Sequence, residues 1–379
     1  MNRLPPFVPS PLRVWAVDAS SVQICWGEMP AGPLRVSAGD RDRAIEHPGG
    51  PGAVTLDGLA PSTTYTVDVD ADGRRSTLSA RTLTPPPGEI LARVATVSDL
   101  HIGAGHWGFL RTMVDLSGHP EPAPTRCARG AITEASAWGA DHLVIKGDAA
   151  HHRRSDHFEM LGDLLDAFLD LPMTLIPGNH DVDGMTPIEI PTTVGHRALE
   201  MTRSIAIDDL PGIRVISLDT AIPRRGIGTL VPHGDAAIEA AGEAERGALI
   251  LLHHQIQRHR YPTHHPAGIG KAEGLAFLKR LGRANPNSWV SSGHTHRNRA
   301  RTVGPVQLTE VASTRDWPGV WAGYEIREGG ISQTVRRVEA HEAITWHEYS
   351  RGAVLGVWSV WAQGALSQRS LVKRWARAR

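Results

Sequence analysis

The sequence predicts a layered α/β domain preceded by a small all-β domain, and three observations carry that prediction. From residue 89 onward, short apolar runs alternate with segments of helical period. Before residue 87 no helical period occurs, and apolar residues alternate singly between clusters of Gly, Pro and Asp. Between the two patterns lies TPPPG at 84–88, whose prolines favour stiff, extended geometry and mark a boundary. The chain therefore divides into 1–87, 88–349 and a terminal piece, 350–379, that is basic and contains tryptophan.

Composition bounds the function. At roughly 100–200 residues per domain, a chain of 379 residues has room for two or three domains with substantial cores. Its 40 basic and 40 acidic residues balance, so no global field favours nucleic acid or an anionic membrane as partner. Cys25 and Cys127 stand in no metal or redox spacing and read as small buried apolar residues, in keeping with a reducing compartment. The N-terminus, MNRLPPFVPSPLRVW, is broken by prolines and lacks the continuous apolar region of a signal peptide. The longest apolar stretch, 352–362, falls short of the roughly 20 residues a bilayer span needs. A soluble, cytoplasmic protein is the expectation.

In chain order, Val22, Ile24 and Trp26 alternate along one strand of the first domain, and Tyr65, Val67 and Val69 along another. The second domain opens with a strand at 93–98. A helix is expected at 126–138, a strand at 142–146, and a helix at 156–171, where Phe158, Leu161, Leu164, Leu165, Phe168 and Leu169 share one face until Pro172 stops it. Strands follow at 173–176, 213–218, 248–252 and 288–291, with helices at 235–245 and 271–282. The stretch 301–349 reads as strands without a clear helix. In the terminal piece Val354, Val357, Trp358 and Trp361 recur at helical spacing, followed by Arg369, Lys373, Arg374, Arg377 and Arg379. That pattern predicts a basic helical tail packed on the domain, with peripheral membrane contact or self-association as the alternative.

The stretch LDGLAPSTTY at 56–65 resembles the corner before a late strand of fibronectin type III domains, where a Tyr hydroxyl ties the turn. Trp26 sits where that family keeps its core tryptophan, and TLTPPP, ending at Pro87, is similar to the family's exit. The resemblance implies a small fibronectin type III-like sandwich with Trp26 and Tyr65 in its core.

The chemistry lies in five clusters, each directly after an apolar, β-rich run: DLH with Asp99 and His101, GD with Asp148, GNHD at 178–181, HH at His253 and His254, and GHTH at 293–296. Histidine is the outlier of the composition at 20 residues, most of them within 101–296. Ligand sites in open α/β sheets form at the carboxyl ends of strands, so these clusters can converge on one rim. Among their three Asp, one Asn and six His, with no Cys, a set of two Asp, one Asn and four His offers mixed nitrogen and oxygen ligation that suits Mn, Fe, Zn or Co better than Ca or Mg. Seven ligands are too many for one such ion and suit two that share a bridging carboxylate.

This ordered set is similar to that of the calcineurin-like metallophosphoesterase family and implies, over about 93–307, a layered metallophosphoesterase β-sandwich flanked by helices. The resemblance implies that Asp99, His101 and His296 hold one divalent or trivalent transition-metal ion, that Asn179, His253 and His294 hold a second, and that Asp148 bridges them. It selects His253, directly after its strand, over His254. His180 would be the general acid at the leaving-group oxygen, and His151, His152, Asp181 and His254 are candidates for substrate contact. The implied reaction is hydrolysis of a small-molecule phosphate ester by in-line attack of metal-activated hydroxide. The loop 103–124 is expected to overhang the rim, and His264 and His265 stand in a further loop.

Departures narrow the reading. Purple acid phosphatases carry a Tyr ligand three residues after the second-motif Asp; here that position is His151, which disfavours a tyrosinate-iron phosphatase. The D-x-H form together with GNHD is similar to class III cyclic nucleotide phosphodiesterases and glycerophosphodiesterases. Phosphodiesters are therefore expected ahead of phosphomonoesters, protein phosphatase substrates included. A scaffold that had lost catalysis would lack a ligand, and none is missing. Nucleic acid is not expected, because no extended basic stripe accompanies the motifs.

Overall fold

Single-residue alternation turns every second side chain of a strand to one face, so the first domain can close two sheets over its apolar set. The structure, a computed structural model, describes residues 9–107, 113–182, 191–196, 198–262 and 265–376. Its first strands are β1 (Arg13–Val17), β2 (Val22–Trp26), β3 (Gly32–Ala38), β4 (Arg41–His47), β5 (Gly52–Leu56), β6 (Thr64–Ala71) and β7 (Arg74–Arg81). One sheet is ordered β1-β2-β5 and the other β4-β3-β6-β7. Trp26, Leu34, Val36, Val67 and Val69 fill the space between them. The half-buried Tyr65 accepts the Ala60 N–H on its hydroxyl at 2.9 Å, tying the corner as expected. This all-β region fits a fibronectin type III-like sandwich.

Beyond residue 88 the apolar runs become two stacked sheets. In order come β8 (Ile90–Val97), α1 (Ala123–Ala137), β9 (His142–Lys146), α2 (Ser155–Leu165), β10 (Met173–Ile176), β11 (Ile205–Leu210), β12 (Ile213–Leu218), α3 (Gly234–Gly242) and β13 (Gly247–Leu252). There follow α4 (Lys271–Ala284), β14 (Ser288–Ser292), β15 (Arg299–Val303), β16 (Val306–Glu310), β17 (Val320–Arg327), β18 (Gly330–Arg337), α5 (His341–Ser350), α6 (Val357–Ala362), α7 (Leu366–Arg369) and β19 (Ser370–Arg374). The sheets run β10-β9-β8-β17-β18-β19 and β11-β12-β13-β14-β16-β15. Val94, Val144, Leu249 and Trp289 meet between them. Ala95 and Ile145 turn outward under α1, α2 and α5, while Ala248 and Ile250 turn outward under α3 and α4. Strands buried on both faces read as continuous apolar runs, which is why LVIK and ALILL show no alternation.

Three expectations change. α2 ends at Leu165 and continues only as a 3-10 turn, Asp166–Phe168. α5 occupies a stretch expected to hold no helix; a histidine, His347, fully buried and facing the Thr314 carbonyl at 3.0 Å, takes one of its core positions and breaks the apolar period. The tail expected to be a basic helix is helical only to Arg369, after which β19 pairs antiparallel with β18. Its basic residues are not simply solvated: Arg369 is buried and donates to the Trp15 carbonyl at 2.8 Å, and Lys373 donates to those of Pro286 and Ser288 at 2.9 Å each. Arg377 and Arg379 lie outside the described residues. Among the described residues no helix is long and apolar enough to cross a membrane.

The two sandwiches share a core. Trp15, Ala16, Cys25 and Ala53 of the first join the cluster that fills the second. Gln23 exchanges hydrogen bonds with the Arg337 backbone at 2.8 and 3.0 Å. The Arg337 guanidinium sits 4.6 Å from the Trp317 ring and 5.6 Å from Trp15.

Candidate metal centre

β8, β9 and β10 of one sheet and β13 and β14 of the other each hand their final residue to a polar cluster, and the clusters meet at one rim. The turns there are tight. Asp99, His101, Asp148, His294 and His296 all adopt left-handed backbone, with φ of 55, 49, 49, 67 and 49°. Such conformations cost on the order of 1–3 kcal/mol each and persist where the surroundings over-determine them. Two glycines let the turns interlock, since a Cβ on Gly178 would strike Asp148 and one on Gly293 would strike Ser98 and Asp99.

Donor atoms follow from these turns. Those of Asp99, His101 and His296 lie within 4.8 Å of one another, as do those of Asp99, Asp148 and His253, and those of His253, His254 and His294. His296 Nε2 is 3.3 Å from Asp99 Oδ1, and its Nδ1 faces the Asp316 carboxylate at 2.8 Å. His253 Nε2 is 3.3 Å from Asp148 Oδ2 and 3.1 Å from His294 Nδ1, while its own Nδ1 faces the Lys146 carbonyl at 2.8 Å. His101 Nε2, 3.7 Å from Asp148 Oδ2, and Asn179 Oδ1 are buried without hydrogen-bond partners. Buried polar atoms are ordinarily satisfied, so an orphaned lone pair such as that of His101 Nε2, beside the Asp148 carboxylate, fits a cation.

The electrostatics agree. Burial alone would raise the Asp99 carboxyl, but His296 and His253 hold it at about 2. Asp148 is likewise held well below the usual range by His253 and His180 against its burial. His296 is pushed up to about 10 by Asp316 and Asp99, and His253 to about 9 by Asp148, in both cases against burial. Burial and His253 push His294 down to about 3. Two carboxylates in so dry a site demand positive charge nearby.

Of the other expected residues, His180 is poised above the centre. Its backbone N–H donates to Asp148 Oδ1 at 2.8 Å, its ring stands edge-on to His101 at 4.7 Å, and its buried Nδ1 has no partner. His151 Nδ1 faces His101 Nδ1 at 3.3 Å and so braces that ring, and the half-buried His152 packs 4.0 Å from His151. Two of the expected substrate contacts have no exposed surface. Asp181 is fully buried, and its carboxylate accepts the N–H groups of Ala149, Ala150 and Gly178 at 3.2, 2.8 and 2.8 Å, clamping two turns together. Burial and the nearby Asp148 raise it to about 7. His254 is also fully buried, facing Thr220 Oγ1 at 2.9 Å with its ring 4.6 Å from His294, and it shares a donor group with His253 and His294. His265 is exposed; His264, and residues 108–112 of the expected overhanging loop, lie outside the described residues.

Sequence reasoning missed two side chains. Asp316 lies in a loop between β16 and β17 and belongs to none of the clusters. Lys146, fully buried, donates from Nζ to Ser291 Oγ and the Ser292 carbonyl at 3.1 Å each, tying the two sheets beneath Asp99. A lysine ending an apolar run was a visible signal for the second; nothing comparable marks the first.

A family model described as calcineurin-like phosphoesterase matches residues 92–298. The human von Willebrand factor A domain-containing protein 1 is 42% identical over 81 residues, which are 20% of this chain and 18% of that protein. The chain thus spans less than a fifth of that relative. Among solved structures, PhoD aligns at 10% identity over 85% of each chain with a TM-score of 0.41. Purple acid phosphatase PPD1 from yellow lupin (Lupinus luteus) seeds aligns at 11% identity over 88% of this chain and 72% of its own, with a TM-score of 0.46.

Proposed function

The chain belongs to the calcineurin-like phosphoesterase family, a class of metal-dependent phosphoric ester hydrolases, and from that premise we propose that its substrates are small phosphodiesters. The observation that carries the reading is the gathering of donor atoms from five strand-end clusters, in which Asn179 Oδ1 and His101 Nε2 are buried without hydrogen-bond partners. In this reading Asp99, His101 and His296 hold one ion, Asn179, His253 and His294 the other, and Asp148 stands between; Mn, Fe, Zn or Co suits the donors. Bound there, two cations supply Lewis acidity, polarising phosphoryl oxygens and lowering the pKa of water.

The chain's own residues do the rest. Asp316 and the Lys146 carbonyl fix the His296 and His253 rings so that each Nε2 points inward. Asp181 and the interlocking glycines hold the turns at their spacing. His180, anchored through its backbone to Asp148 and unpartnered at Nδ1, gives a proton to the leaving-group oxygen. The D-x-H and GNHD forms support diesters ahead of monoesters. Residues 1–87 are read as a fibronectin type III-like module and 88–349 as the catalytic domain, whose sheet is completed by β19 from the terminal piece.

Hydrolysis of bis(p-nitrophenyl) phosphate beside p-nitrophenyl phosphate, in Mn²⁺ and with a chelator control, tests the proposal. Chelator-sensitive turnover faster on the diester is the expected result. Faster turnover of the monoester transfers the assignment to phosphomonoesters, and turnover that a chelator does not affect contradicts the metal-dependent reading.

A further inference from the structure

Four arginines gather at a place the catalytic reading does not use. A cavity of about 270 Å³ lies at the end of β13, against β14, β15 and β16, lined by Arg258, Arg297, Arg299, Arg301 and Glu310. Its floor is apolar, with Leu252, Val290 and Leu308 of the outer face of the second sheet. Arg297 is only 9% exposed. Its Nε donates to Glu310 Oε2 at 2.8 Å, yet its Nη1 is buried and makes no hydrogen bond.

Among the described residues Glu310 is the single carboxylate of the lining, and the Thr295 hydroxyl shares it at 2.9 Å. Arg301 spends one nitrogen on the Ile256 carbonyl at 2.7 Å. Burial lowers the Arg301 guanidinium against the pull of Glu310, and the neighbouring Arg258 and Arg297 lower it further. The lining therefore carries more positive charge than it neutralises, around a guanidinium whose buried donor has no acceptor. Planar guanidinium forks match tetrahedral oxyanions in charge and in hydrogen-bond geometry.

We propose that this cavity is an anion site separate from the metal centre, taking a phosphate-type oxyanion, free or carried on a small molecule, on Arg297 and the arginines beside it. The site needs no metal, so it stands or falls independently of the catalytic assignment. It adjoins the centre along the chain: Arg297 follows His296, and Gln255, in the same lining, follows His254.

Calorimetric titration of the full chain, kept in chelator and given inorganic phosphate or, separately, p-nitrophenyl phosphate, tests the proposal. Saturable binding is expected, weakened about tenfold or more by Arg297→Gln, which removes a charge-assisted donor. That change also unpairs Glu310, so a second variant, Arg258→Gln with Arg299→Gln, alters only half-buried and exposed positions; weaker binding is expected there too. Tighter binding of the ester assigns the site to a phosphorylated molecule, and equal binding to the free anion; both support it. Absence of saturable binding by either probe, or binding that both variants leave unchanged, overturns it.

Discussion

Asp148 faces His101, His253 and the His180 amide at once, so its replacement probes the site through several partners. Asp148→Asn is expected to abolish turnover and reduce metal content by elemental analysis; full activity in that variant contradicts its place between the ions. His180→Ala is expected to keep the metals and lose roughly 10²- to 10⁴-fold in rate, more on poor leaving groups than on good ones. Metal lost in step with activity would mark His180 as a ligand instead of an acid. Asp316→Ala removes the partner that orients His296 and is expected to cost roughly 10- to 100-fold in metal affinity or activity, read by metal titration. Six of the seven ligand candidates, Asn179 aside, gather in clusters of donor atoms, and the sequence brought them forward because each is close behind a strand. The full burial of Asp181 and His254 was not legible, because sequence does not show which residues of a strand-end cluster turn inward. Asp316 could not be read at all, since it reaches His296 across 20 positions from a loop without a pattern.

At the scale of elements, apolar runs carry the prediction only while nothing polar enters the core. β9, β10 and β12 fall where the pattern places them; α5 is hidden by the buried His347, and β19 by a basic composition that suits a solvated helix equally well. β19 forms because β18 offers it an unpaired edge, information held elsewhere in the chain. The contact between sandwiches has consequences as well. Trp15 is fully buried against Trp317 at 6.4 Å between ring centroids, and Arg337 donates to the Pro318 carbonyl at 3.1 Å, two residues beyond Asp316. Trp15→Ala is expected to destabilise the protein by about 3–5 kcal/mol in denaturant unfolding. The same variant should hold metal more weakly, because the loop that carries Asp316 loses its support. Unchanged metal affinity in a destabilised Trp15→Ala protein would confine the first module to a role in stability.

Over the whole molecule, two six-stranded sheets place their parallel strand ends at one rim, and the first sandwich joins the core between those sheets through Trp15, Ala16, Cys25 and Ala53. The balanced charge of 40 basic and 40 acidic residues leaves binding to local features, the metal centre above all. Because the centre is assembled only by folding, metal bound to the native state alone stabilises it, by about 2.7 kcal/mol at a hundredfold excess over the dissociation constant. A chelator is accordingly expected to lower the unfolding temperature of wild type and to have little effect on Asp148→Asn. The central claim is that the rim hydrolyses phosphate esters with two ions, and titrating metal-free protein with Mn²⁺ while following bis(p-nitrophenyl) phosphate hydrolysis tests it most directly. Turnover that climbs until two equivalents are bound and then levels off is the predicted result; a plateau at one equivalent, or no turnover in protein holding two, would contradict it.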